Sequence, residues 1–268
     1  MENKILDRLQ EHKVSALMSH PCDWFVLCAQ GSMNYGIMDD ESDVDSKMLT
    51  LPSMRELVLN TKSLNSVHIM ENEEHVDMKD VREYFKIFRK SNINFVEILF
   101  TDYFITNSHY TDLWLTLREH REELARINPY AAISCMKGMA SEKVHALCHE
   151  YPSRMYYIEK YGYDGKQLSH LVRIDYFIHK YIEGAKYSDC IYPENKEFRD
   201  YLLGLKRHTL NIKKDEAVKL ANTIYLDICK LADDTRANLE NKNDPEMDEL
   251  LNSVLYELIK RTLKEELS

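Results

Sequence analysis

The apolar run Trp24-Phe25-Val26-Leu27-Cys28-Ala29 stops at Gly31-Ser32, and the next apolar run, ended by Pro52, opens with Asp43-Val44-Asp45. A short apolar run halted by glycine reads as a buried strand feeding a tight turn. Val44 to Leu51 reads as a second strand, because Pro52 cannot continue a ladder. Together they fix a small sheet early in the chain and place two carboxylates at its rim. Side chains alternate along a strand, so Asp43 and Asp45 are expected on one face with Val44 turned into the core. At ~4 Å two like charges repel by ~1–4 kcal/mol, depending on the effective dielectric. Solvent or a cation relieves that cost.

The turn and the carboxylates complement each other chemically. Gly31 lets a phosphate approach the backbone closely. Ser32 adds a hydroxyl and an amide at what reads as a helix N-terminus, which favours anions. Mg²⁺ takes oxygen ligands and binds through one or two carboxylates plus phosphate oxygens. A third acid, Asp77, lies in the strand-like stretch His75-Val76-Asp77-Met78. With Asp43 and Asp45 it would form a set able to hold two metal ions, Mg²⁺ or Mn²⁺, ~3.5–4 Å apart. Asp77 is also a candidate to help deprotonate a nucleophile. The competing reading is a solvated acidic loop spanning Asp39, Asp40, Glu41, Asp43 and Asp45. A calcium loop is excluded, because the sixth position counted from Asp43 is Met48 rather than glycine.

Around this nucleus the patterns predict a first helix over 1–19, with Ile5, Leu6, Leu9, Val14, Leu17 and Met18 apolar at helical spacing. A short helix capped by Ser53 follows, to Leu59. A hairpin pairs Ser66–Met70 with His75–Met78 across Glu71-Asn72-Glu73-Glu74, and a helix spans Asp80–Lys90. Past about residue 107 helical patterns dominate: Leu113–Leu124, Pro129–His149, Gln167–Ile182, Glu216–Ala237 and Met247–Leu267. Gly162 and Gly165, two of only seven glycines, mark a sharp loop before one of these helices. The expected fold class is α+β: a small mixed-sheet domain over residues 1–106, then an all-helical domain over 107–268 that completes a nucleotide cleft.

A net charge of −10 argues against an extended grip on duplex nucleic acid, which needs many Lys and Arg contacts. It suits a metal-bound nucleotide, where the ion supplies the positive charge. No run approaches the ~20 apolar residues of a membrane helix, and Met1-Glu2-Asn3-Lys4 does not open a signal peptide. Six scattered cysteines without a CxxC pair fit reduced thiols, so the expected compartment is the cytoplasm.

Gly31-Ser32, Asp43-Val44-Asp45 and Asp77 together resemble the nucleotidyltransferase superfamily that includes DNA polymerase beta. The wording Gly31-Ser32-Met33-Asn34-Tyr35-Gly36 and Glu41-Ser42-Asp43-Val44-Asp45, with Lys47 following, is similar to a bacterial and phage group of predicted nucleotidyltransferases. So are Ser91–Phe100 and Gly165–Arg173, and the similarity spans roughly residues 24–175. The resemblance implies attack of a hydroxyl on the α-phosphate of an NTP with loss of pyrophosphate. It also implies that Asp43 and Asp45 bridge both metals and that Asp77 holds the catalytic one. A Lys and a Ser of the helical domain would contact the triphosphate, and Lys166 and Ser169, three apart on one helix, match that role. The acceptor stays open among an RNA 3′ end, a protein and a small molecule. A non-catalytic nucleotide sensor on the same scaffold is the alternative, and a metal-dependent phosphohydrolase a third reading.

Overall fold

The computed structural model describes residues 2–40 and 42–267, with side chains from residue 4 onward. The chain forms two compact units. One is built from Met1–Asn34, Met38–Asn128 and Asn243–Ser268, the other from Tyr35–Ile37 and Pro129–Lys242. This division differs from the 1–106/107–268 split read from the sequence, because three later helices pack with the sheet.

The sheet unit opens with helix α1 (Glu2–Ser19) and strands β1 (Asp23–Gln30) and β2 (Asp45–Leu51). Next come α2 (Met54–Leu59), β3 (Asn65–Ile69), β4 (His75–Asp80), α3 (Val81–Phe88), α4 (Ile93–Val96), β5 (Phe104–Thr106), α5 (Thr111–Glu119) and α6 (Arg121–Ala125). Ser53 and Glu56 form the capping box that starts α2, and Asp80 caps α3. The five strands lie in the order β3-β4-β2-β1-β5, with β2 and β4 parallel and the other pairs antiparallel.

Strand alternation sorts the side chains. Leu27, Ala29, Val44, Met48, Val76 and Met78 face α1 and pack on its Ile5, Leu9 and Ala16. The stripe of α1 that is buried is therefore Ile5, Leu9, His12 and Ala16, whereas Val14 and Met18 are exposed. The polar His12 belongs to the stripe because it has partners there, described below. On the opposite face lie α3 and α5: Tyr84 stacks edge-on against Phe95, and Trp114 meets Phe25 and Phe104.

The helical unit contains α7 (Pro129–Ala146), α8 (Met155–Tyr161), α9 (Gly165–Ile182), α10 (Tyr187–Ile191), α11 (Lys196–Lys206) and α12 (Lys214–Arg236). Helix α9 is central, with α7, α10, α11 and α12 packed on it. It begins where Asp164 accepts the Lys166 amide at 2.9 Å. Arg154 clamps the same buried carboxylate with two bonds of 2.8 and 2.7 Å. The last helix, α13 (Pro245–Glu266), belongs to the sheet unit. Its Arg261 pairs with Asp112 of α5 at 2.8 Å, and its Thr262 hydroxyl lies 3.1 Å from the Tyr110 hydroxyl.

Candidate functional site

Strand register decides where the acids stand. Asp45 opens β2, and Asp43 and Val44 precede the strand rather than lying in it. Val44 is buried as expected. Lys47 is the register partner of Asp77 across the parallel β2–β4 pair, so Asp45, Lys47 and Asp77 share the face opposite α1. Asp45 pairs with Gln30, the last residue of β1, so the turn at Gly31 and Ser32 leaves the sheet beside Asp45.

Each acid has its own environment. Asp43 is exposed, and no hydrogen bond or ion pair engages its side chain among the described residues. Asp45 accepts the His75 amide on Oδ1 at 3.0 Å, which leaves Oδ2 uncommitted. Asp77 accepts the Lys47 ammonium on Oδ2 at 2.9 Å. The Lys47 side chain is only 6% exposed, and its ammonium also lies 4.3 Å from the centre of the Phe95 ring. All three acids are oxygen donors of the type a hard cation takes. Their ligand atoms do not form a closed triad. Among the described residues, the group of three metal-capable side chains with ligand atoms all within 4.8 Å is Asp175, His179 and Asp227 of the helical unit. There the half-exposed His179 ring bridges Asp175 at 3.6 Å and Asp227 at 3.2 Å, an ordinary surface ion-pair network.

Residues 31–36 form successive turns, not the start of a helix, so the dipole expected to reinforce Ser32 is absent. Gly31 has φ +92°, a conformation that only glycine adopts without strain, and a Cβ there would meet nothing within 4 Å. The backbone at Gly31 thus faces open space, the room a close phosphate approach requires. Its amide donates to Glu97 Oε1 at 3.3 Å, and Glu97 is itself buried. Ser32 is half-buried with no hydrogen bond to its hydroxyl among the described residues.

A buried brace beneath the acids escaped sequence reading. Glu74 accepts the Val44 amide on Oε1 at 3.1 Å, between the two acids. Its Oε2 accepts Arg8 at 2.6 Å and lies 3.0 Å from His12 Nε2. His12 Nδ1 in turn lies 2.9 Å from Ser46 Oγ. Residues 44–45 and 74–75 therefore lock each other: Glu74 holds the Val44 amide, and Asp45 holds the His75 amide. Ser, His and Glu in a row have the makeup of a nucleophilic triad. Here Ser46 and His12 are both 0% exposed, so no substrate reaches the hydroxyl and the row acts as a brace. Burial pushes the Glu74 carboxyl up, but hydrogen bonds from Asn72, His12, Arg8 and the Val44 amide outweigh it and hold its pKa at about 2. The sequence signal for His12 was its place on the Ile5-Leu9-Ala16 stripe, where a lone polar residue must find a partner.

In the helical unit, Lys166 is exposed on the first turn of α9. Ser169 is buried, and its hydroxyl donates to the Leu202 carbonyl at 2.8 Å. A cavity of about 770 Å³ in the sheet unit is lined by Thr50, Leu51, Pro52 and Glu266 among others, at the end of β2 opposite Asp45. Among the described residues no helix is long and apolar enough to cross a membrane.

No family model matches the chain, and no curated protein matches it. Among solved structures it is similar to a nucleotidyltransferase-like protein from Exiguobacterium sibiricum 255-15. The identity is 12% and the TM-score 0.29, over 86% of this chain and 75% of the other.

Proposed function

We propose that the chain is a metal-dependent nucleotidyltransferase that moves NMP from an NTP to a hydroxyl acceptor and releases pyrophosphate. One observation carries this reading: Asp45 and Asp77 share a sheet face, and the open-backed Gly31–Ser32 turn leaves β1 beside Asp45. Asp43, Asp45 and Asp77 would hold Mg²⁺ or Mn²⁺, which when bound supplies charge neutralisation of the phosphates and a more acidic attacking hydroxyl. The chain's own residues do the rest. Glu74 fixes the Val44 amide and so orients both flanking acids. Gly31 leaves room for a phosphate, and the free Ser32 hydroxyl can donate to one. Lys47, donating to Asp77 Oδ2 at 2.9 Å, holds that carboxylate in place.

A nucleotide sensor without turnover is the alternative, favoured by the Lys47–Asp77 pair, which already neutralises one of the three acids. Pyrophosphate release from purified protein with each NTP and Mg²⁺ or Mn²⁺ separates the two. Asp45→Asn should abolish release while its unfolding midpoint stays near that of the wild type. Full turnover in that variant would overturn the assignment. Labelling cell extract with each α-labelled NTP then reports whether RNA, protein or a small molecule is the acceptor.

A further inference from the structure

Arg173 of α9 is 2% exposed, one of the largest fully buried side chains in the chain. Arg8, Arg82, Arg89, Arg154 and Arg261 each meet a carboxylate. Arg173 meets none among the described residues, and its Nε is buried without a hydrogen-bond partner. A guanidinium cannot escape by losing its proton, and an unpaired buried charge is among the costliest features a fold can carry. The guanidinium carbon lies 3.6 Å from the centre of the Tyr35 ring, an attraction that offsets only part of that cost. Tyr35 belongs to the same helical unit, through the short segment Tyr35–Ile37. Gly36 anchors that segment: with φ +69° it lies so close to Tyr192 and Arg199 that a Cβ would come within 2.6 Å of each.

The neighbourhood is cationic as well. Lys166, His170 and Arg173 recur at i, i+4 and i+7 along α9, which puts them on one face. Burial holds the His170 ring neutral, and Arg173, Lys166, Lys143 and Lys206 push its pKa further down. The four charges that act on it most are all positive. Of these, Lys143 is met by Glu142 at 2.7 Å, whereas the buried Arg173 meets no carboxylate among the described residues.

We infer that this face of α9 binds a phosphate group, gripped by Arg173 over the Tyr35 ring and met by Lys166, without a divalent cation. The guanidinium fork matches a pair of phosphate oxygens, and a neutral His170 can donate one N–H. The site lies wholly in the helical unit and does not rest on the carboxylate reading. Free phosphate, pyrophosphate and the phosphate tail of a nucleotide share the chemistry it recognises.

The test uses the full chain in EDTA, with phosphate, pyrophosphate or ATP compared against sodium chloride of equal ionic strength. Thermal unfolding and titration calorimetry are the readouts. The wild-type midpoint should rise with anion concentration, as mass action requires, and the tightest of the three anions identifies the source. Arg173→Met should melt higher than wild type in chloride, since an unpaired charge has been replaced by apolar volume, and should lose the anion response. Lys166→Met, at an exposed position, should fold normally and weaken binding about tenfold, the loss of one charge-assisted contact. A wild type that responds no more to phosphates than to chloride overturns the inference, and so does an Arg173→Met variant that keeps the response. If Arg173→Met does not fold, unchanged affinity in Lys166→Met overturns it. With no metal in the assay, failure here leaves the pyrophosphate-release test standing, and the reverse holds too.

Discussion

Replacing Glu74 with Gln removes the charge from the brace while keeping its shape, and the structure gives the size of the effect. The Glu74 carboxyl falls from an ordinary 4.5 to about 2 in the fold. At about 1.36 kcal/mol for each tenfold change in acidity, that fall corresponds to about 3 kcal/mol of stability at neutral pH. The carboxylate is 9% exposed, so water screens it little. Because the folded pKa is the lower one, this stability is fully present above the unfolded value near 4.5. It is lost as pH falls toward about 2. Urea unfolding of wild type and Glu74→Gln, measured from neutral pH down to about pH 2.5, should show a gap of about 3 kcal/mol that narrows steadily below pH 4.5. In thermal scans the same gap is roughly 6–12 °C near neutral pH. A gap that is absent at neutral pH, or that stays constant down to acid pH, refutes an ionised Glu74 at the hub. Because Glu74 holds the Val44 amide, the variant should also bind Mn²⁺ more weakly, as read by electron spin resonance of the free ion.

Lys47→Met leaves Asp77 without its ammonium and should cost about 3 kcal/mol or somewhat less, since the Asp77 side chain keeps 20% exposure; adding Asp77→Asn should recover part of the loss in urea unfolding. Gly31→Ala finds open space but must hold φ +92°, and should lower stability by about 1–2 kcal/mol in the same assay. Asp164→Ala removes the α9 cap and orphans Arg154, for a loss of about 2–4 kcal/mol with unfolding of α9 visible by circular dichroism. Burial, then the charges of Asp23 and Glu56, push the Cys22 thiol up to about 11, and burial pushes Cys28 higher still. Near pH 8 both thiols should resist alkylation until the protein is unfolded in urea, as read by mass spectrometry.

Most of the sheet was legible because its signals are local. The halt at Gly31, the stop at Pro52, the Ser53 cap and the acidic hairpin turn each act within a few residues, and β1, β2, α2 and β3–β4 lie close to where those signals put them. Helices read as single runs were less secure: Leu113–Leu124 breaks at His120 into α5 and α6. The three-residue β5 carries too little pattern to register, and α8, α10 and α11 hide in stretches whose apolar spacing only packing resolves. At the site, strand alternation put Asp43 and Asp45 on one face, but Asp43 precedes β2, and the face that Asp45 shares with Asp77 is set by the register of β2 against β4. Lys47 beside Asp77 depends on a parallel register between strands separated by a hairpin, and Glu74 on contacts from α1, more than sixty residues distant in sequence. Non-local partners of that kind leave no periodic trace. The helix at Ser32 was expected from a Gly-Ser pair, but the backbone follows successive turns instead.

Helix α13 pairs with α3 through Arg89 and Asp248 and with α5 through Arg261, so the sheet is finished by residues that a ribosome makes only after the whole of α7–α12. During synthesis the strands and their acids must wait, partly uncovered, while the intervening helices emerge. A tag or fusion that strains the segment after residue 242 would therefore damage the carboxylate-bearing sheet rather than the helices preceding it in the chain.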